Sequence, residues 1–169
     1  LVQLGAPADL AFYGIQGTET LTIPVPSGLA PVALDVTTQL PVNVRSATVT
    51  VMQEDRTLSR VDIPPGERVS VSIPLAGAEI VDNAVTVILR SYLLPVPGYC
   101  LDPTNPLRFS DGAVAFAGVE IAPTVVADFL PPVLRQLTIF VSAEPSQAES
   151  DATVRLATAV AAQFGSQAP

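Results

Sequence analysis

The sequence predicts a mainly β protein in which an antiparallel β-sandwich precedes one further strand and an amphipathic α-helix. Three observations lead to this prediction: apolar and polar residues alternate from Ala11 to about Ile121, turn-forming residues separate the alternating runs, and the period changes after Pro131-Pro132. Alternation with a period of two is typical of strands that bury one face. With 169 residues, 49% hydrophobic and 14% charged, the chain has the composition of a folded globular protein.

Seven to nine short strands are expected between residues 11 and 128. No helical pattern separates them, and such an order favours antiparallel sheets packed face to face. Turn signals bound the runs at 26–28, 54–56, 64–66, 81–83 and 110–112. The apolar members of the runs are expected to point into the core; they are Leu21, Ile23, Val25, Val32, Leu34, Val36, Val49, Val51, Val69, Val71, Ile73, Val85, Val87, Leu89, Val114 and Phe116.

After the two prolines the pattern is that of a strand followed by a helix. The apolar run at 135–142 is typical of a buried strand, and Ser146 with Glu149 has the spacing of a capping box that starts a helix over 146–164. That helix carries an apolar stripe of Leu156, Val160 and Phe164. Because such a stripe needs a surface to cover, we expect the helix to pack on another copy of the chain or back over the sandwich. The strand is expected to contribute to self-association through an exposed sheet edge.

The charge balance excludes nucleic acid as a partner. Eight arginines, no lysine and sixteen carboxylates give a net charge of −8. Such a chain lacks the cationic surface that phosphate binding requires, and anionic membrane surfaces are disfavoured for the same reason.

Few of the side chains that enzymes use are available. There is no histidine and a single cysteine, Cys100, so zinc sites and Cys-His or Ser-His-Asp catalysis lack their usual parts. We expect Cys100 to be a small buried hydrophobic residue. Glu120 and Asp128 are better explained as solvated strand ends than as a catalytic pair. The expectation is a protein without enzymatic activity, cofactor or metal.

The polar segment between Tyr99 and Asp111 is the best candidate for a recognition loop. It lies between two alternating runs and is stiffened by Pro95, Pro97, Pro103 and Pro106. Arg90 and Arg108 are expected either to contact sugar hydroxyls or to pair with Asp102 and Asp111. A calcium loop is the weaker alternative for the carboxylates here, because Asp and Asn near proline are ordinary turn formers. The candidate carbohydrate-binding residues are Tyr92, Tyr99, Asp102, Asn105, Arg108 and Phe109.

The order of several segments resembles a known family. Residues 21–26 (Leu-Thr-Ile-Pro-Val-Pro) come first, and residues 100–106 (Cys-Leu-Asp-Pro-Thr-Asn-Pro) follow a predicted strand at 84–92. Residues 127–132 (Ala-Asp-Phe-Leu-Pro-Pro) then precede the strand and Pro145-Ser146 at the start of the helix. This succession resembles the periplasmic B subunit of bacterial cellulose synthase.

The resemblance implies a fold and a function. Residues 1–130 would be a jelly-roll domain similar to carbohydrate-binding domains, and residues 131–169 would open a flavodoxin-like α/β domain. The protein would be a noncatalytic subunit that binds or guides a β-glucan-like polysaccharide beside a membrane glycosyltransferase. It would lie in the periplasm or cell envelope, anchored through segments outside this chain. The absence of tryptophan favours the alternative, a structural protein–protein interaction domain without sugar binding.

Overall fold

A computed structural model describes residues 9–122, 134 and 136–164, with helix side chains described up to Ala162. The chain forms two compact units, Leu1–Pro132 and Val133–Pro169. The described elements are β1 (Leu10–Phe12), β2 (Gln16–Pro24), β3 (Leu29–Gln39), β4 (Val44–Gln53), β5 (Arg56–Ile63), β6 (Val69–Pro74), β7 (Ala84–Pro95), β8 (Leu107–Gly118) and the helix α1 (Gln147–Phe164).

The first unit is an antiparallel β-sandwich of jelly-roll type, as the sequence and the resemblance predict. Sheet A has the strand order β1-β8-β3-β6, and sheet B has the order β2-β7-β4-β5. Successive strands therefore alternate between sheets except for β4 and β5, which form a hairpin. Two four-stranded sheets linked in this way are the jelly-roll arrangement.

The core lies between the two sheets and is formed by the alternating apolar residues. Twelve of the sixteen predicted inward residues are buried, and Val32, Val69, Val114 and Phe116 are half-buried. Val32 departs from the pattern because it is the extra residue of a β-bulge. Its neighbours Pro31 and Ala33 pair with successive residues of β8, which leaves Val32 without a partner on that strand. The bulge shifts the alternation by one residue, so that Pro31 is the buried neighbour.

Four of the five predicted turns are confirmed. At 26–28 the Leu29 N–H donates to the Pro26 carbonyl over 3.1 Å, and Gly28 has the positive φ of 82° that such a turn requires. The turns at 64–66 and 81–83 also lie between strands, and the turn at 54–56 links β4 to β5, which begins at Arg56.

The fifth predicted turn, at 110–112, is wrong. These residues lie inside β8, where Asp111 and Gly112 together oppose the single residue Val36 of β3. Asp111 has a φ of 52°, which a β-bulge tolerates in an Asp residue. A bulge and a turn share the same residue preferences, so the sequence signal was real but its structural outcome differs. Consequently, residues 107–111 are strand rather than recognition loop.

Two aromatic rings of sheet A and a glycine of sheet B form a joint between the sheets at one end of the sandwich. The Phe12 ring on β1 and the Phe109 ring on β8 are both fully buried, with centroids 4.9 Å apart and planes tilted by 60°. Gly17 of sheet B passes directly over Phe12: a Cβ at Gly17 would lie 2.7 Å from the Phe12 Cβ. The Gly17 N–H also donates to the buried Ser91 hydroxyl over 3.1 Å, so this buried amide has a hydrogen-bond partner.

Four connections meet at this same end of the sandwich. In sheet A, the ends of β1 and β3 pair with the start of β8, and the start of β6 pairs with the end of β3. In sheet B, the starts of β2 and β4 pair with the end of β7. The connections at 13–15, 40–43, 64–68 and 96–106 therefore share one end, which we call the loop end.

The second unit contains the predicted helix but not the predicted strand. Residues 136–142 form no strand in the structure, because a strand requires ladder partners and no described residue pairs with them. The capping box is confirmed: the Glu149 N–H donates to the Ser146 hydroxyl over 3.3 Å, and the Ser146 N–H donates to the Glu149 carboxylate over 2.7 Å. Val160 of the predicted stripe is buried and Leu156 is 41% exposed, while the Phe164 side chain lies outside the described residues.

Replacing Gly17 with alanine is expected to destabilise the sandwich by about 1–3 kcal/mol, because the new methyl group overlaps Phe12 and overpacks the core. Urea unfolding with an unchanged m-value measures this. The matched control is Thr18→Ser on the exposed face of the same strand, which should change stability by less than about 0.5 kcal/mol. Equal stability of Gly17→Ala and the unmodified chain would contradict the close packing of the joint.

Replacing Ser146 with alanine is expected to reduce the helical signal in circular dichroism, since an N-cap hydroxyl contributes about 1 kcal/mol. Thr158→Ala is the control, because that hydroxyl donates to the Val154 carbonyl within the helix and caps nothing.

The backbone and hydroxyl donors of Ser146 lower the pKa of Glu149. The stabilisation from this carboxylate is therefore present above its ordinary pKa and is lost as the pH falls through the lowered value. A helical signal insensitive to both Ser146→Ala and acid would contradict this cap.

Candidate functional site

The six predicted carbohydrate-binding residues do not form one surface. Tyr92 is 46% exposed on the outer face of β7, and Tyr99 is 58% exposed in the 96–106 connection. Arg108 is half-buried on the outer face of β8, which belongs to the opposite sheet. Tyr92 and Tyr99 therefore remain candidates at the loop end, whereas Arg108 faces away from Tyr92.

Phe109 is a core residue, and its assignment to a sugar contact is wrong. It is fully buried against Phe12, so no ligand can reach it in this fold. The sequence prediction failed because Phe109 was assigned to a loop, whereas β8 begins at Leu107 and alternation then directs Phe109 inward.

Cys100 is also placed differently from its prediction. It is an exposed free thiol in the 96–106 connection, not a buried hydrophobic residue. The connection crosses from sheet B to sheet A over the surface, so its residues have little opportunity to be buried.

Local hydrogen bonds fix the shape of the 96–106 connection. Both the backbone N–H and the hydroxyl of Thr104 donate to the same Asp102 carboxylate oxygen, over 2.8 and 2.7 Å. The Asn105 N–H donates to the Asp102 carbonyl over 3.1 Å, which closes a turn. The Thr104 hydroxyl, and then its backbone N–H, lower the pKa of Asp102. Asp102 therefore organises the loop, and its carboxylate is already engaged.

The predicted pairing of Arg90 and Arg108 with the acids of this region is not found. Asp111 instead forms an ion pair of 3.0 Å with Arg68, and both side chains are largely exposed. An exposed pair of this kind contributes at most about 1 kcal/mol. With Asp102 bonded to Thr104 and Asp111 to Arg68, the calcium alternative has no assembled ligand set. Among the residues described, no three His, Cys, Asp or Glu side chains converge to hold a metal.

Tyr13, which is not among the six predicted residues, also lies at the loop end. It lies in the 13–15 connection and is 59% exposed. The Leu93 N–H donates to the Ile15 carbonyl over 2.8 Å, which ties this connection to β7 at the residue next to Tyr92. The chain has only three tyrosines, and Tyr13, Tyr92 and Tyr99 are all exposed at the loop end. Only the pairing of the strands could have indicated this, because the three residues are far apart in sequence.

Sheet B surrounds Tyr92 with hydrogen-bonding side chains on its outer face. Tyr92 pairs with Gln16 on one side and Thr48 on the other, and Thr48 pairs with Asp62. One row of the outer face therefore reads Gln16, Tyr92, Thr48 and Asp62 across the four strands. The row offers an aromatic ring together with amide, hydroxyl and carboxylate groups, the combination that binds sugars through ring stacking and oriented hydrogen bonds.

Comparison with known proteins identifies no family. No family model matches the sequence, and no curated protein matches it either. In the part of the chain that the structure describes, no helix combines the length and apolar character needed to cross a membrane.

The Asp102 carboxyl is expected to titrate below 3.8, its ordinary pKa. Thr104→Val removes the hydroxyl donor and should raise the pKa of Asp102, while Thr104→Ser retains both donors and should leave it low. The carboxyl carbon shift in an NMR titration measures this directly. Because the pKa is lowered on folding, the loop gains stability from Asp102 above pH about 4 and loses it as the pH falls further. An Asp102 pKa at or above 3.8 in the unmodified chain would contradict the turn described above.

Proposed function

We propose that the first unit is a noncatalytic carbohydrate-binding domain whose binding surface is the loop end of sheet B. The observation that carries the proposal is the exposure of all three tyrosines at that end. Tyrosine is a large side chain that usually gains from burial, so three exposed rings at one end suggest a surface that is covered by a ligand.

The surroundings of Tyr92 support a sugar as that ligand. Gln16 and Thr48 flank Tyr92 through direct strand pairing, and both carry groups that donate and accept hydrogen bonds. Sugars present apolar C–H faces with hydroxyls at their edges. The C–H face can stack on the Tyr92 ring while the hydroxyls reach Gln16 and Thr48. Expected affinity is weak, because exposed polar contacts compete with water.

The resemblance to the B subunit of cellulose synthase extends the proposal. On this hypothesis the domain binds or guides a nascent polysaccharide in the cell envelope beside a membrane glycosyltransferase. The jelly-roll topology and the helix that follows Pro131-Pro132 in sequence support that role. The second unit would then belong to a following α/β domain.

A structural role in protein–protein contact is the second candidate. It is favoured by exposed apolar residues at the other end of the sandwich, where Ile80 and Val81 precede β7 and Val119 follows β8 at 81% exposure. Such residues are more typical of a protein contact than of a sugar site. The two candidates use opposite ends of the same unit, so single substitutions can separate them.

Titration of the 169-residue chain with cello-oligosaccharides, followed by NMR shifts, tests the proposal. Tyr92→Ala and Tyr99→Ala are each expected to weaken binding by about 5- to 30-fold, which corresponds to about 1–2 kcal/mol. Val81→Ala at the opposite end is the control and should bind as the unmodified chain does. Circular dichroism of each variant establishes that the fold is retained.

Two results would count against sugar binding at this surface. The first is the absence of any shift with neutral, acidic or sulfated oligosaccharides at high concentration, which would leave protein contact as the better proposal. The second is binding that Tyr92→Ala and Tyr99→Ala leave unchanged, which would move the site away from the loop end.

A further inference from the structure

The two sheets of the sandwich differ in charge. The strands of sheet B carry four arginines (Arg45, Arg56, Arg60 and Arg90) and two acids (Glu19 and Asp62). The strands of sheet A carry one arginine, Arg108, and two acids, Asp35 and Asp111. Sheet B is therefore locally cationic in a chain whose net charge is −8.

Arg90 and Arg60 lie in one row of the outer face of sheet B. Arg90 on β7 pairs with Thr50 on β4, and Thr50 pairs with Arg60 on β5. The two arginine backbones are thus two strand spacings apart, about 9–10 Å. Thr18 of β2 pairs with Arg90 on its other side and extends the row. Both arginines are exposed, while Val49, Val61 and Leu89 beside them point toward the other sheet.

Neither guanidinium is engaged by a residue that the structure describes. Among the described residues, Arg60 and Arg90 make no ion pair and no hydrogen bond. Two of the other four arginines of this unit are engaged: Arg68 pairs with Asp111, and Arg56 donates to the Gly77 carbonyl over 2.6 Å. Asp62 is the acid on the same face as Arg60, yet no ion pair within 4.0 Å joins them. Two guanidinium groups, on backbone positions of fixed spacing, therefore remain available to a ligand.

We infer that the outer face of sheet B binds a polysaccharide that carries carboxylates, with Arg60 and Arg90 each donating hydrogen bonds to one uronate carboxylate. The inference rests on the proposed carbohydrate-binding function and specifies the class of sugar. Charge complementarity carries it, because an anion is attracted to this one face and repelled by the acidic remainder of the chain. The row that contains Tyr92 is adjacent to the row of Arg90, so the ring and the two cations belong to one surface.

The side chains favour a carboxylate among anions. A guanidinium presents parallel N–H donors that match the two oxygens of a planar carboxylate. Thr18 and Thr50 stand beside the arginines and supply hydroxyls for the neutral groups of the sugar ring. A chain that crosses the strands can therefore present carboxylates to Arg90 and Arg60 while its hydroxyls contact the threonines between them.

A matched pair of ligands tests the inference on the whole chain. One is a cello-oligosaccharide, and the other is the same oligosaccharide with every hydroxymethyl group oxidised to a carboxylate. At low salt the uronate form is expected to bind about 25-fold more tightly. Arg60→Gln and Arg90→Gln should each remove about fivefold of that preference, equivalent to about 1 kcal/mol per exposed pair. Raising the salt concentration should reduce the difference.

The control is Arg155→Gln on α1, which makes the same charge change in the second unit and should leave the preference intact. Circular dichroism of each variant verifies the fold. Equal affinity for both ligands would overturn the inference and leave the proposed function standing. Failure of both ligands to bind would overturn the proposed function itself. A loss in Arg155→Gln as large as in Arg60→Gln would indicate nonspecific attraction, and tighter binding of a sulfated analogue would contradict the carboxylate assignment.

Discussion

The packing of Phe12 against Phe109, with Gly17 lying over Phe12, is the constraint on which the loop end depends. Each of these residues comes from a different strand, and together they join sheet A to sheet B at the position where four connections meet. Gly17 is followed on β2 by Thr18, and Ser91 lies between Arg90 and Tyr92 on β7. The joint therefore fixes, from inside the sandwich, the strand positions whose outer side chains form the candidate surface.

The alternation of apolar and polar residues was sufficient to predict the sandwich and most of its core. Residues such as Leu34, Val49 and Val87 follow a regular period of two, which only a half-buried strand satisfies. Prediction failed where backbone irregularity breaks that period. Val32 and Asp111 lie at β-bulges, and bulges use the same residues as turns, so their position depends on the partner strand. Phe109 was misplaced for this reason.

The candidate site could be predicted only in part. Tyr92, Tyr99 and the loop were accessible to sequence reasoning because aromatic and proline residues mark them locally. Thr48 and Arg60 join the same surface through strand pairing between distant parts of the chain, which no local pattern encodes. The strand predicted at 135–142 has the opposite problem: its local pattern is correct for a strand, but strand formation requires a hydrogen-bonded neighbour.

The position of β7 has a consequence for the mobility of the surface. This strand lies inside sheet B and is paired with β2 from Ala84 to Tyr92 and with β4 from Ile88 to Pro95. Interior strands are among the last segments to open in native-state fluctuations, while connections open first. Arg90 and Tyr92 are therefore held on a rigid backbone, so that their side chains, rather than the strand, lose conformational entropy when a ligand binds. The strand part of the surface is therefore preorganised, which lowers the entropic cost of binding a ligand there.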